Sequence, residues 1–201
     1  YAFHLIIALV YCYYIRENLG DANSYWFNTR KFSLEVGWGS YYRTGTNFIL
    51  FITYPLVKYL HISFYTGGLL FATVGFQGFL YLHCIIRKFI KKPVRLYMLA
   101  VYPYILFLPN LHFWSSSIGK DSLILYAILL FFYCLFHLRK KWFWGLFALV
   151  LAYHIRPHIA LFMLVASFIA ILIDGKLKLS LKVGLGLLML IGGILMFNMV
   201  V

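Results

Sequence analysis

Long apolar runs broken by short basic clusters constrain this chain more than any other feature, because they leave it almost no polar face to turn to water. Hydrophobic residues make up 64% of the 201 positions and charged residues 11%, against about 45–50% and about 25% in soluble domains. The mean hydropathy is +0.87. A water-soluble fold of this size has too little interior to hide so much apolar surface. The expectation is an all-α, polytopic integral membrane bundle, since a helix satisfies its own backbone hydrogen bonds where lipid offers no partner.

The runs divide into about seven membrane segments: 1–15, 65–86, 96–109, 122–138, 142–154, 159–173 and 183–201. Residues 48–60 are apolar but short, are interrupted by Pro55 and carry Lys58, and so read as interfacial or re-entrant. Gly68, Ala72, Gly75 and Gly78 set a small-residue packing face within 65–86. Cys12, Cys84 and Cys134 lie inside apolar runs without zinc or disulfide spacing and read as small buried hydrophobes. Because the chain begins and ends within apolar runs, it is expected to be a single transmembrane domain over 1–201 from a longer membrane protein, and no signal peptide can be assigned.

Charge orients these segments. Arg87, Lys88, Lys91, Lys92 and Arg95 fill one loop, Arg139, Lys140 and Lys141 a second, and Lys176, Lys178 and Lys182 a third, together eleven of the eighteen basic residues. The positive-inside rule makes these loops cytoplasmic, as in a multi-pass protein of the cell's inner membrane. Parity then turns 16–47, 110–121 and 155–158 outward, and Glu17, Asp21, Glu35 and Asp121 fall on that side. The formal charge of +13 thus belongs to membrane anchoring, and its scatter between apolar runs speaks against nucleic acid as a partner. Segments 96–109 and 142–154 reach only about 20 Å at 1.5 Å per residue. Either their polar tips lie below the outer surface, where irregular backbone is tolerated only inside protein or beside a wet cavity, or the bilayer thins or the helices tilt to match them; the recessed cavity is the expectation.

Three outward clusters carry groups suited to chemistry. The first is Gly20-Asp21-Ala22-Asn23-Ser24-Tyr25. Asp21 there suits a general base or a divalent-cation ligand, and Asp21 or Asn23 equally suits the cap of an interfacial helix over 25–32. The second runs from Pro109 to Ser122 and contains His112, Trp114, Ser115 to Ser117, Gly119, Lys120 and Asp121. Ser122 or Asp121 can cap the following helix, but Lys120 opposes a helix N-terminus unless an anion sits beside it; a pair with Asp121, or extension to water, also explains it. The third is His154-Ile155-Arg156-Pro157-His158. Pro157 suits the first residue of a helix, and Arg156 offers a forked set of donors to phosphate oxygens. Tyr25, Trp26, Trp38, Tyr41, Tyr42 and Trp114 read as an interfacial belt, or as platforms for sugar rings. Phosphate-binding loops, zinc-protease motifs and nucleophile elbows are absent from the sequence.

These clusters resemble polytopic membrane glycosyltransferases of the GT-C type, in which an acid follows the first membrane helix, and bacterial polysaccharide polymerases that use polyprenyl-linked sugars. The matching stretches are Gly20 to Tyr25, Leu108-Pro109-Asn110 through Phe113-Trp114-Ser115 to Gly119-Lys120-Asp121, and Ile155 to His158. The resemblance is patchy, and the second acid often found in that family has only Glu17 or Glu35 as candidates. It implies transfer of a sugar from a polyprenyl-phosphate donor on the extracytoplasmic side, with membrane lipid and that donor as partners. Asp21 is then the catalytic residue, deprotonating the acceptor hydroxyl or serving as ligand to a divalent cation, the one cofactor the resemblance suggests. Lys120, Arg156, His112, His154 and His158 contact the lipid phosphate, and Tyr25 and Trp114 stack on the sugar or acceptor. Two other classes use the same residues differently: a transporter of lipid-linked oligosaccharide or anionic solute, and a non-catalytic membrane subunit of a larger complex.

Overall fold

The computed structural model describes residues 1–18, 20–32, 36–91, 95–96, 99–173 and 179–198. Within them the architecture is all-helical apart from one minimal antiparallel ladder. Its elements are α1 (Ala2–Asn18), α2 (Asp21–Phe32), a 3-10 turn (Trp38–Tyr41), α3 (Thr46–Lys58), α4 (Phe64–Phe89), β1 (Arg95–Leu96) and β2 (Leu99–Ala100). They continue with α5 (Val101–Tyr104), a second 3-10 turn (Ile105–Phe107), α6 (Pro109–Ser115), α7 (Lys120–Leu135), α8 (Leu138–Ile155), α9 (Pro157–Ile173) and α10 (Leu179–Asn198). Among the described residues α4 is long and apolar enough to cross a membrane. A second crossing arises if α6 and α7, bent by 104° at their junction, count as one.

The small residues of α4 explain its central position. A Cβ on Gly67 would stand 2.2 Å from the Trp26 ring, one on Gly68 2.3 Å from Cys12 Sγ, and one on Gly75 2.0 Å from the Ser115 carbonyl oxygen. Ala72 is fully buried. This face therefore takes the Trp26 ring of α2, the Cys12 side chain of α1 and the backbone of α6 directly against the backbone of α4, a small-residue packing face as the glycine spacing predicts. Helix α7 runs beside α4 in the same direction. Gly78 faces Leu125 and Tyr126, Tyr81 meets Tyr133 at 5.1 Å, and Phe89 meets Phe136 at 5.3 Å. Helix α8 returns antiparallel to α7, with Gly145 against Cys134 at one end and Arg156 bonded to Asp121 at the other.

That register sorts the charges. Arg87 and Lys88 close α4, where Lys88 Nζ lies 4.3 Å from the centre of the Phe136 ring. Lys141 donates to the Tyr133 hydroxyl at 3.1 Å near the α7–α8 junction, and Lys182 donates to the Leu172 carbonyl near the end of α9. These basic groups share one end of the bundle. Asp21 and Asp121 share the other, separated by the 16 residues of α7, about 24 Å of helix. Lys92, Lys176, Lys178 and Glu35 lie outside the described residues.

Several expectations need correction. The described residues of 96–109 do not form one helix, because Pro103 and Pro109 each drive the preceding residue out of the helical region. Tyr102 sits at φ −97, ψ 131 and Leu108 at φ −59, ψ 118. The chain instead passes through the ladder, α5 and a 3-10 turn, then regains helical form in α6. The polar tip is consequently the turn at 116–119 rather than all of 110–121. Helix α8 opens with a short helical stretch from Leu138, and a kink at Lys141 (φ −126, ψ 18) separates it from the continuous helix over 142–155, where the apolar segment was expected to start. Cys12 and Cys134 are buried, but Cys84 is exposed. Trp26, Tyr25 and Tyr41 are buried and so belong to the core rather than to a surface belt.

Candidate functional site

Helix α2 is set by the turn that precedes it. A Cβ on Gly20 would stand 2.6 Å from Ile15 Cδ1, so a glycine lets the chain reverse there against α1. Asn23 and Ser24 donate their backbone N–H groups to the Gly20 carbonyl, which starts the helix at Asp21 instead of 25. Neither Asp21 nor Asn23 is its cap. The buried Asn23 amide donates to the Ile15 carbonyl at 2.6 Å, satisfying one of the orphan acceptors at the end of α1. Asp21 stands exposed in the first turn, where a carboxylate is favoured by the helix dipole. Its oxygens have no hydrogen-bond or ion-pair partner among the described residues.

The turn at 116–119 places the second group. Gly119, at φ +151, precedes α7, and a Cβ there would meet Tyr25 Cε2 at 3.0 Å. Both the backbone conformation and the aromatic neighbour require glycine. The hydroxyls of Ser115, Ser116 and Ser117 turn back onto the carbonyls of Leu111, Phe113 and Trp114, and Ser122 donates to the Ser117 carbonyl at 2.8 Å. The serines hold the turn, so neither a serine nucleophile nor a Ser122 cap forms. Lys120 does not pair with Asp121: its ammonium donates to the Thr46 hydroxyl at 3.0 Å, at the first residue of α3. Asp121 instead accepts from Arg156 at 2.8 Å, with both side chains partly exposed.

Arg156 is the single residue between α8 and α9. Pro157 opens α9 as predicted, and the Arg156 carbonyl accepts from the N–H groups of Ile159 and Ala160.

Asp21, Lys120, Asp121 and Arg156 line one cavity of about 310 Å³, together with Gly20, Ala22, Tyr25, Trp114 and Gly119. Tyr11, Ile15 and Ile118 complete its wall. The four formal charges cancel. What tips the balance toward an anion is that three helices, α2, α7 and α9, begin at its wall, each with a partial positive charge at that end. Tyr25 keeps a neutral phenol there, because burial first and the Asp21 carboxylate second raise it above its ordinary range. The Thr46 hydroxyl and Arg156 act in the opposite sense.

The three histidines lie elsewhere. His112 is buried, stacked on Phe79 at 4.4 Å, with Nδ1 2.7 Å from His4 Nδ1 and Nε2 2.6 Å from the Leu106 carbonyl. His4 Nε2 in turn lies 3.0 Å from the Ala72 carbonyl. His154 donates from Nδ1 to the Val150 carbonyl and packs on Tyr42 and Phe48. Its backbone carbonyl accepts from Gly45, whose φ of +76 suits glycine. His158 is exposed and does not line the cavity. The element that sequence reasoning missed is Asp121 as the second carboxylate, taken there for a helix cap. Its signal was its place one residue after Lys120, opposite the arginine turn. Glu17 is exposed and also outside the cavity wall. Among the described residues no group of three or more His, Cys, Asp or Glu side chains is placed to hold a metal ion.

Comparison with protein-family models, curated proteins and solved structures finds no match for the chain.

Proposed function

We propose that the chain is a multi-pass membrane glycosyltransferase that takes a sugar from a polyprenyl-phosphate-linked donor on the extracytoplasmic side of the cell's inner membrane. The observation that carries this reading is the shared cavity of Asp21, Lys120, Asp121 and Arg156 at three helix starts. About seven membrane segments accommodate the chain, with the basic end of the bundle toward the cytoplasm. The donor phosphate enters against Lys120, the unused donors of Arg156 and the free N–H groups of α7. The tail of the lipid stays among the apolar helices.

Asp21, which lacks a partner among the described residues, accepts the proton of an acceptor hydroxyl as that oxygen bonds to the anomeric carbon. The bond from this carbon to the phosphate oxygen breaks, and its electron pair leaves with the phosphate, where Lys120 and Arg156 balance the charge. Asp121 fixes the guanidinium through its 2.8 Å bond. Tyr25 and Trp114, on the wall, offer aromatic faces to the sugar. If a divalent ion assists, Asp21 would be its carboxylate ligand, and the ion would supply further neutralisation of the leaving phosphate.

Asp21→Asn in the purified chain, supplied with a polyprenyl-phospho-sugar and acceptor, is expected to abolish transfer with an unchanged unfolding midpoint. Undiminished turnover removes Asp21 from the mechanism.

A further inference from the structure

Helix α4 keeps one flank that no other described element covers. Between Phe64 and Ile86 its exposed residues are Thr66, Leu70, Gln77, Leu80 and Cys84. With the half-buried Thr73 they recur in alternating steps of four and three, the spacing of the contact seam between two helices that cross with a left-handed twist. At about 100° per residue Gln77 points about 180° from Gly68, which meets Cys12 of α1, and about 100° from Gly78, which meets α7. The seam is therefore separate from both faces that pack within the chain.

Leucine on such a flank needs only lipid around it. Gln77 needs more. It stands midway along the 26 residues of α4, the described helix long and apolar enough to cross a membrane by itself, and its amide has no hydrogen-bond partner among the described residues. The hydroxyls of Thr66 and Thr73 are satisfied locally, by the Ser63 hydroxyl and the Leu69 carbonyl. In a bilayer, water lies about 15 Å from that midpoint, half the hydrocarbon thickness and beyond the reach of a glutamine. An amide left without a partner in hydrocarbon is costly, and polar side chains on membrane helices serve to join one helix to another.

We infer that this seam is the contact surface for a second copy of the chain, the two α4 helices crossing side by side with Gln77 bonded to Gln77. Both copies enter the membrane in the same orientation, since the same basic loops stay cytoplasmic, so the two amides arrive at equal depth. A primary amide both donates and accepts. Each Gln77 therefore satisfies the other across a twofold axis, whereas any different partner must bring a matching polar group to that depth. One unsatisfied polar position in such a seam also fixes its register. The same axis brings Cys84, seven residues on from Gln77, opposite its own copy. The inference rests on α4 crossing a bilayer and not on sugar transfer by Asp21.

The test reconstitutes the full chain in phosphatidylcholine vesicles at falling protein-to-lipid ratio, oxidises thiols with copper phenanthroline and reads the dimer on a non-reducing gel. Cys12 and Cys134 are buried, so Cys84 is expected to form the cross-link and Cys84→Ser to abolish it. Gln77→Leu, a substitution that lipid tolerates, should move the half-dimer point to a protein-to-lipid ratio about threefold to thirtyfold higher, the scale of an interhelical hydrogen bond in lipid. Gln77→Asn should retain part of the affinity. Val150→Cys, exposed on α8, placed in the Cys84→Ser chain measures chance collision. Cross-linking no greater than that of Val150→Cys, or unchanged by Gln77→Leu, overturns the inference. Extraction with alkaline carbonate is read in parallel. A chain that washes off the vesicles overturns the membrane reading and the seam together, whereas an embedded chain without dimer overturns the seam alone and leaves Gln77 to a different membrane subunit.

Discussion

Gly75→Ala tests how closely the site depends on the packing of α4. A Cβ at this position would lie 2.0 Å from the Ser115 carbonyl oxygen and 3.1 Å from its carbon, whereas such carbon and oxygen atoms settle at about 3.3–3.6 Å. The obstacle is backbone, so α6 must move away from α4 by more than about 1 Å, at the cost of about 1–3 kcal/mol typical of overpacking. One turn further along the same helix face, a Cβ on Gly78 meets Leu125 and Tyr126 at an ordinary 3.4 Å. Both substitutions gain the same helix propensity, up to about 1 kcal/mol, so their difference isolates the steric term. Gly75→Ala is expected to be less stable than Gly78→Ala by about 1–3 kcal/mol, roughly 2–4 °C per kcal/mol in unfolding midpoint for a chain of this size. Scanning fluorimetry in detergent measures the pair. Because α6 leads directly into the turn before Lys120 and Asp121, donor affinity should fall in the first variant and hold in the second. Equal midpoints refute the close approach of α4 and α6.

Arg156→Lys keeps the charge and loses the fork, so the KM for a polyprenyl-phospho-sugar should rise about tenfold, or about 1.4 kcal/mol, with a smaller change for the acceptor; the opposite split in steady-state kinetics contradicts the phosphate role. His112→Ala removes a buried stacked ring and its hydrogen bonds and should destabilise the chain by about 2–4 kcal/mol without altering donor affinity, since His112 faces His4 and not the cavity. The Tyr25 phenol is raised above its ordinary value of 10.0 by burial and by Asp21. The neutral form is thus favoured in the fold, and its contribution to stability is complete below that value and lost as pH rises through the higher folded value. Unfolding midpoints across alkaline pH should therefore fall less steeply in Tyr25→Phe than in the unaltered chain, and parallel curves would show that Tyr25 is not the responsible group.

Much of the arrangement was legible locally. The glycine and alanine spacing in α4 identified a packing face because a missing side chain is a positional fact that burial only has to exploit. Pro157 marked the start of α9 for a similar reason, as its ring presets the first helical residue. The failures came where two local signals compete. Apolar residues over 96–109 suggested a helix, but Pro103 and Pro109 dictate the backbone before them. Asp121 looked like a cap because capping is a local act, whereas its partner Arg156 lies 35 positions away. His112 and His154 looked like site residues because they flank Lys120 and Arg156 in sequence, yet their rings turn to His4 and to the Val150 carbonyl.

The helical class, the separation of basic clusters from acids and the candidacy of Asp21, Lys120 and Arg156 follow from apolar content, charge and residue chemistry, which are properties of the chain before it folds. It took the folded arrangement to set α4 and α7 side by side, to start three helices at one cavity and to bring Asp121 rather than Glu17 to its wall beside Asp21. Contacts between distant residues depend on which helix faces meet. That choice is made by packing at glycines such as Gly75 and Gly119, where the absent side chain permits a neighbour to approach.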